Sequence, residues 1–129
     1  MRIYVTVAIS IAAGMVIGGF AMQGLRAQGS PPVYFISDIA EITDPEAFKA
    51  VGQRPQSEAA DRVNKAGGQY VTRTQKLTAI YGTPPQRLII IKFDNMQKAQ
   101  AFATDETQKR IDGITDKSSK IRRFFAEGL

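Results

Sequence analysis

Five side chains carry the reactive chemistry this sequence offers: Tyr34, Asp38, Tyr70, Arg73 and Arg87. Asp38 stands inside an apolar, β-branched run, where a carboxylate is disfavoured unless it faces a pocket or an opposite charge. As a general base it would need a cation at the developing anion, and Arg73 or Arg87 could stabilise an enolate or a substrate carboxylate. The plainer role for Asp38 is an ion pair at the rim of a subunit interface, and that reading is the stronger. Tyr34 could donate a hydrogen bond to a ligand, although strand aromatics more often pack. Tyr70 and Arg73 are three residues apart, which puts them on opposite faces of a strand unless a bulge intervenes. Arg122 and Arg123 flank Phe124-Phe125 and are read as partners for acidic helix faces before an anion site.

The chain of 129 residues contains neither histidine nor cysteine. Thiol nucleophiles, disulfides, cysteine zinc sites, histidine bases and histidine-ligated haem are therefore excluded. No carboxylate cluster has metal-ligand spacing, and Gly67-Gly68 follows a helix and precedes a strand, the wrong order for a phosphate loop. No motif implies a cofactor. The formal charge is +5, yet Arg2 and Arg26 belong to the N-terminal segment, leaving 15 basic against 12 acidic residues from Gln28 onward. Signs alternate along the chain with no basic stripe, which argues against nucleic acid as a partner.

Met1-Arg2 followed by uncharged Ile3 to Met22 resembles an export signal, with Leu25-Arg26-Ala27 as a cleavage site before Gln28. Ser10, Gly14 and Gly18 recur every fourth residue, as on a membrane-helix contact face, so an uncleaved anchor is the rival. Residues 1–27 are thus a signal peptide or an N-terminal membrane anchor, and the only part expected to touch a membrane. Either version places the domain outside the cytoplasm, periplasmic, secreted or held at the inner membrane. Residues 28–32, with Pro31-Pro32, form a linker, and 33–129 a single domain of ordinary size.

Within that domain, Val33 to Ile39 reads as a strand with Val33, Phe35 and Ile39 on one face and Tyr34, Ile36 and Asp38 on the other. Thr43-Asp44-Pro45-Glu46 opens a helix to about Ala66 with Phe48, Val51, Ala59 and Val63 inward and Arg62 among the water-facing residues. Pro55 kinks or interrupts it. Gly67-Gly68 stops it, and Gln69 to Thr74 is a second strand. Leu77, Ala79 and Tyr81 alternate like a short edge strand ended by Gly82-Thr83-Pro84-Pro85. Arg87 to Phe93 is almost continuously apolar, hence central and covered on both faces. Asp94 or Asn95 caps a second helix with Met96, Ala99 and Phe102 inward, a break falls near Thr104-Asp105, and Ile111 and Ile114 face inward on the next piece. Ile121 to Glu127 is the last strand.

Strand, helix, strand, strand, helix, strand in about a hundred residues describes an α+β sandwich, the ferredoxin-like plait. Two helices cover one sheet face, while Tyr34, Ile36, Leu88, Ile90 and Phe124 or Phe125 leave the other apolar. A second copy of the same sheet is the usual cover, so the expected assembly is a homodimer packed sheet to sheet.

Thr43-Asp44-Pro45-Glu46-Ala47-Phe48, Gly67-Gly68-Gln69-Tyr70-Val71-Thr72-Arg73 and Pro85-Gln86-Arg87-Leu88-Ile89-Ile90-Ile91-Lys92-Phe93 resemble, in order and spacing, the bacterial domain of unknown function 1330 family. Phe93-Asp94-Asn95-Met96 is similar to its strand-to-helix junction. The resemblance spans about Pro32 to Leu129 and implies the dimeric α+β barrel superfamily, in which each protomer keeps a small cleft. Relatives there include cofactor-independent monooxygenases, muconolactone isomerases and haem enzymes, so the fold implies no single reaction. The chain departs from the family pattern at Phe102 to Thr107, where an aromatic pair is usual, and at Tyr81, where an acidic residue precedes the glycine.

Three functional readings follow: an exported homodimer binding a small, aromatic or anionic molecule in its cleft, with Tyr34, Asp38, Tyr70, Arg73 and Arg87 as ligand-binding candidates; a cofactor-independent isomerase or monooxygenase using Asp38 as base; and a membrane-tethered interaction protein. The first is preferred, because the reactive side chains on which the second depends are scarce.

Overall fold

Alternation sets the sheet. In the computed structural model, which describes residues 30–129, β1 (Val33–Ile42) buries Val33, Phe35 and Ile39 on one face, as period-two spacing requires. The other strands are β2 (Gly68–Thr74), β3 (Arg87–Phe93) and β4 (Ser119–Glu127), ordered β2-β3-β1-β4 with every neighbouring pair antiparallel. The signal or anchor reading of residues 1–27 lies outside the described residues. Among the described residues no helix is long and apolar enough to cross a membrane.

Four helices form, the first long helix being interrupted at Pro55 and the second at Thr104-Asp105, and each break has a local cause. Helix α1 (Pro45–Gly52) begins where the Asp44 carboxylate accepts from Ala47 N at 3.2 Å, with proline in the first turn. It ends before Pro55, whose extended backbone starts α2 (Gln56–Lys65), so the proline divides the helix in two. Helix α3 (Met96–Ala103) is capped by Asn95, which accepts from Lys98 N at 2.9 Å. Asp105 caps α4 (Glu106–Ser118), accepting from Gln108 N at 2.7 Å.

The helices cover one sheet face around Val33, Phe35, Val63, Ile91, Phe93, Ala99 and Phe102. Phe102 joins the layers, edge-on to Phe35 at 6.1 Å between ring centroids and tilted against Phe93 at 5.2 Å. Truncating such a ring costs about 3–5 kcal/mol. Two glycines fix the turn into β2. Gly67 has φ of 82°, the left-handed cap conformation, and a Cβ on Gly68 would stand 2.6 Å from the Phe93 ring.

Two sequence expectations change. The Leu77–Tyr81 segment is not an edge strand: Ile80 and Tyr81 are fully exposed and no partner strand lies beside them. Alternation there has no core to bury against, and the segment ends as Gln86 N donates to Ile39 O at 2.8 Å and Gln86 Oε1 accepts from Ile42 N at 2.6 Å. Strand β3 is central, but within one chain only its helix side is covered, and Leu88 and Ile90 stay half-buried on the other.

Candidate functional site

The strand registers divide the helix-facing side of the sheet into four rows, read from β2 to β4. One end row is Gly68, Phe93, Val33 and Glu127; the next is Tyr70, Ile91, Phe35 and Phe125. Then come Arg73, Ile89, Ser37 and Arg123, and last Arg87, Ile39 and Ile121. Along β1 the small side chain of Ser37 thus falls between Phe35 in the row before it and Ile39 in the row after. Helices resting on the larger side chains cannot close onto Ser37, and a cavity of about 80 Å³ remains between the layers.

Its sheet wall is Phe35, Ser37, Ile39, Tyr70, Arg73, Arg87, Ile89, Ile91, Ile121 and Arg123. The helical side contributes Phe48, Val51, Gly52, Arg54, Arg62, Phe102, Gln108, Ile111 and Thr115. Five arginine side chains thus line one small cavity, and not one aspartate or glutamate does.

Two of the five are neutralised from behind. Arg62 pairs with Asp105 at 2.9 Å, donates to Gln108 Oε1 at 3.2 Å and lies 4.0 Å above the centre of the Phe102 ring. Arg123 pairs with Asp112 at 3.0 Å and Asp116 at 2.7 Å on α4. The other three have no acidic partner among the described residues. Arg73 donates to Gln56 Oε1 at 2.8 Å and to Arg54 O at 3.4 Å. Arg54 Nε is buried with nothing to donate to. Arg87 is only 7% exposed. Burial pushes its pKa down and the Arg73 charge adds to that, opposed in part by Tyr70.

Of the residues singled out from sequence, Tyr70, Arg73 and Arg87 meet at this cavity. Tyr34 and Asp38 do not. Both stand on the far side of β1, where Asp38 pairs with Arg122 directly across the strands and keeps 16% of its side chain exposed. Strand parity makes the separation: Asp38 is an odd number of residues from Ser37 and Ile39, which face the cavity. A base at Asp38 is thus on the wrong side of the sheet to act on anything bound with Arg73 and Arg87.

Arg62 corrects a second expectation. Read as water-facing, its side chain is only 19% exposed and lies under the helices. The signal was available, since Arg62 is three residues from buried Ala59 and beside Val63, on the same helical face. Gln108 and Thr115 also line the cavity. They continue the inward stripe of α4 through Ile111 with polar side chains, which a search for apolar periodicity passes over. Among the described residues no three aspartates or glutamates come together as a metal site would require.

This plait is the ferredoxin-like fold expected from the order of elements. The model of the family the motifs resemble, "Domain of unknown function (DUF1330)", matches residues 32–129, and the chain belongs to it. Comparison with curated proteins gave no match. Among solved structures, a protein of unknown function from Rhodopseudomonas palustris is similar at 14% identity and a TM-score of 0.55, over 84% of this chain and 92% of that one. The cofactor-independent oxygenase SnoaB from Streptomyces nogalater is similar at 12% identity and a TM-score of 0.52, over 78% and 95%. A dimeric ferredoxin-like protein of unknown function from Jannaschia sp. CCS1 gives 12% and 0.52, over 74% and 98%. At these identities the likeness is one of fold.

Proposed function

We propose that this chain is an exported homodimer whose protomers bind a small organic molecule in the cavity between helices and sheet without transforming it. The observation that carries the reading is the wall itself: apolar rings, five arginine side chains and no carboxylate. Guanidinium groups bind and orient, but they stay protonated and cannot take a proton from a substrate. The one carboxylate considered as a base, Asp38, points to the other face of the sheet and is held by Arg122. A binding module uses what is present, whereas an enzyme that relied on Asp38 as its base would find it on the wrong face.

The dimer is supported by the face left open. Tyr34, Ile36, Leu88, Ile90 and Phe124 share it, and Phe124 is 44% exposed. Covering it with a second sheet removes that apolar surface from water, and the Jannaschia protein of the same fold is dimeric. Export is supported by the uncharged Ile3 to Met22 run behind Met1-Arg2.

Native mass spectrometry of the chain recovered from membrane and soluble fractions of an exporting bacterial host tests all three parts. The expected species is a dimer that starts near Gln28 and carries one small-molecule mass per protomer. A ligand-free, full-length species held in detergent would replace this reading with a tethered interaction protein, and a monomer would remove the sheet-to-sheet assembly.

A further inference from the structure

Three unneutralised guanidinium groups around one cavity are expensive to hold. Like charges repel more strongly in a partly buried site than in water, and each group there has lost solvent that no acid replaces. Arg87 is the extreme case, buried with Arg73 one row along on the adjacent strand and no carboxylate lining the cavity. Arg54, from the turn between α1 and α2, adds a buried Nε without an acceptor. An anion supplies what all three lack.

The rest of the wall says what the anion is attached to. One row along the sheet from Arg73 stand Tyr70, Ile91 and Phe35, with Phe102 above them. A phosphate or sulfate ion presents acceptor oxygens on every side and would leave some against those rings. A carboxylate presents two oxygens in one plane, which match the paired N–H groups of a guanidinium, and the other end of the molecule is free to be apolar. A cavity of about 80 Å³ suits a small molecule.

Resting on the binding reading above, we infer that the cavity takes a small organic acid, its carboxylate held by Arg54, Arg73 and Arg87 and its apolar body against Phe35, Ile91 and Phe102. The bound acid neutralises the charge that the fold leaves uncompensated, so ligand and protein each supply half of an ion pair. The lowered pKa of Arg87 agrees, because an adjacent carboxylate would push it back up.

The test is thermal melting and calorimetry of the full-length chain with benzoate, with benzamide as its uncharged isostere, and with inorganic phosphate. Benzoate should raise the melting temperature saturably, and benzamide and phosphate should not. Arg87→Met should weaken benzoate binding by about tenfold or more while the unliganded variant melts no lower than the parent, since a buried unpaired charge has gone. If Arg87→Met does not fold, Arg87→Lys, which keeps charge but loses the fork, should fold and bind more weakly. Benzamide or phosphate acting as well as benzoate would overturn the inference, as would benzoate without effect at millimolar concentration. A retained molecule without a carboxylate in the native spectrum would refute the acid and leave the cavity reading standing. An empty cavity in that spectrum, with no response to any probe, would remove both.

Discussion

Tyr70 and Arg73 share one face of β2 although they are three residues apart, because the pairing with β3 skips Val71. Tyr70 pairs with Ile91 and Thr72 with Ile90, so two residues of β2 span a single step of β3 and the phase of the strand is reset. Without that bulge Arg73 would face the open side of the sheet, and the cavity would lose one of its three unneutralised cations.

Deleting Val71 should therefore be tolerated. A regular ladder running Tyr70, Thr72, Arg73 keeps tyrosine and arginine on the helix side, so the variant should fold and bind benzoate within about threefold of the parent, while losing only a residue left half exposed. Calorimetry on the deletion variant decides it: a folded protein that no longer binds would show that the bulge shapes the site in some way beyond restoring phase.

Asp105 holds two elements at once. Its carboxylate caps α4 and pairs with Arg62 Nη2 at 2.9 Å. Asp105→Asn keeps an acceptor for Gln108 N and loses the charge, whereas Asp105→Ala loses both. Denaturant unfolding should place asparagine between parent and alanine, with about 1 kcal/mol separating the two variants for the cap. Equal losses would mean that the cap contributes nothing and that the Arg62 pair carries the whole effect.

Much of this fold was legible because burial leaves a period. The alternation in Val33, Phe35 and Ile39, the proline break at Pro55 and the capping side chains Asp44 and Asn95 each report local physics, and each element lies where they place it. The site was harder to read. Arg62, Gln108 and Thr115 occupy inward positions with polar side chains, and a reader who equates inward with apolar puts them in water. Asp38 was legible as unusual and as lying on the face opposite Val33, Phe35 and Ile39, but not where along the other face a cavity would open. That depended on where the helices pack and on Ser37 being too small to meet them, neither of which is a property of the strand alone.

The open sheet face makes a separate prediction. Ile36 and Phe124 are direct cross-strand partners there, flanked by Ile90, and none of the three lines the cavity. Phe124→Glu puts a charge into the middle of the proposed contact, where it would be buried without a partner. Light scattering after size exclusion should show a monomer, with helix content unchanged by circular dichroism. A dimer that survives both Phe124→Glu and Ile36→Glu would have to be built on another surface.

Ser37 is the residue that leaves the cavity open, so enlarging it should separate binding from stability. It lies between Ile89 of β3 and Arg123 of β4, beneath the helices. In a filled core an added side chain of this size costs about 1–3 kcal/mol through strain. Over a void it gains contacts and buries apolar surface, at about 0.8 kcal/mol for each methylene removed from water. Ser37→Leu should thus melt at or above the parent temperature while benzoate no longer shifts the melting point. A variant that still binds would place the ligand elsewhere, and one that melts far lower would mean that the floor around Ser37 is already closed by its neighbours.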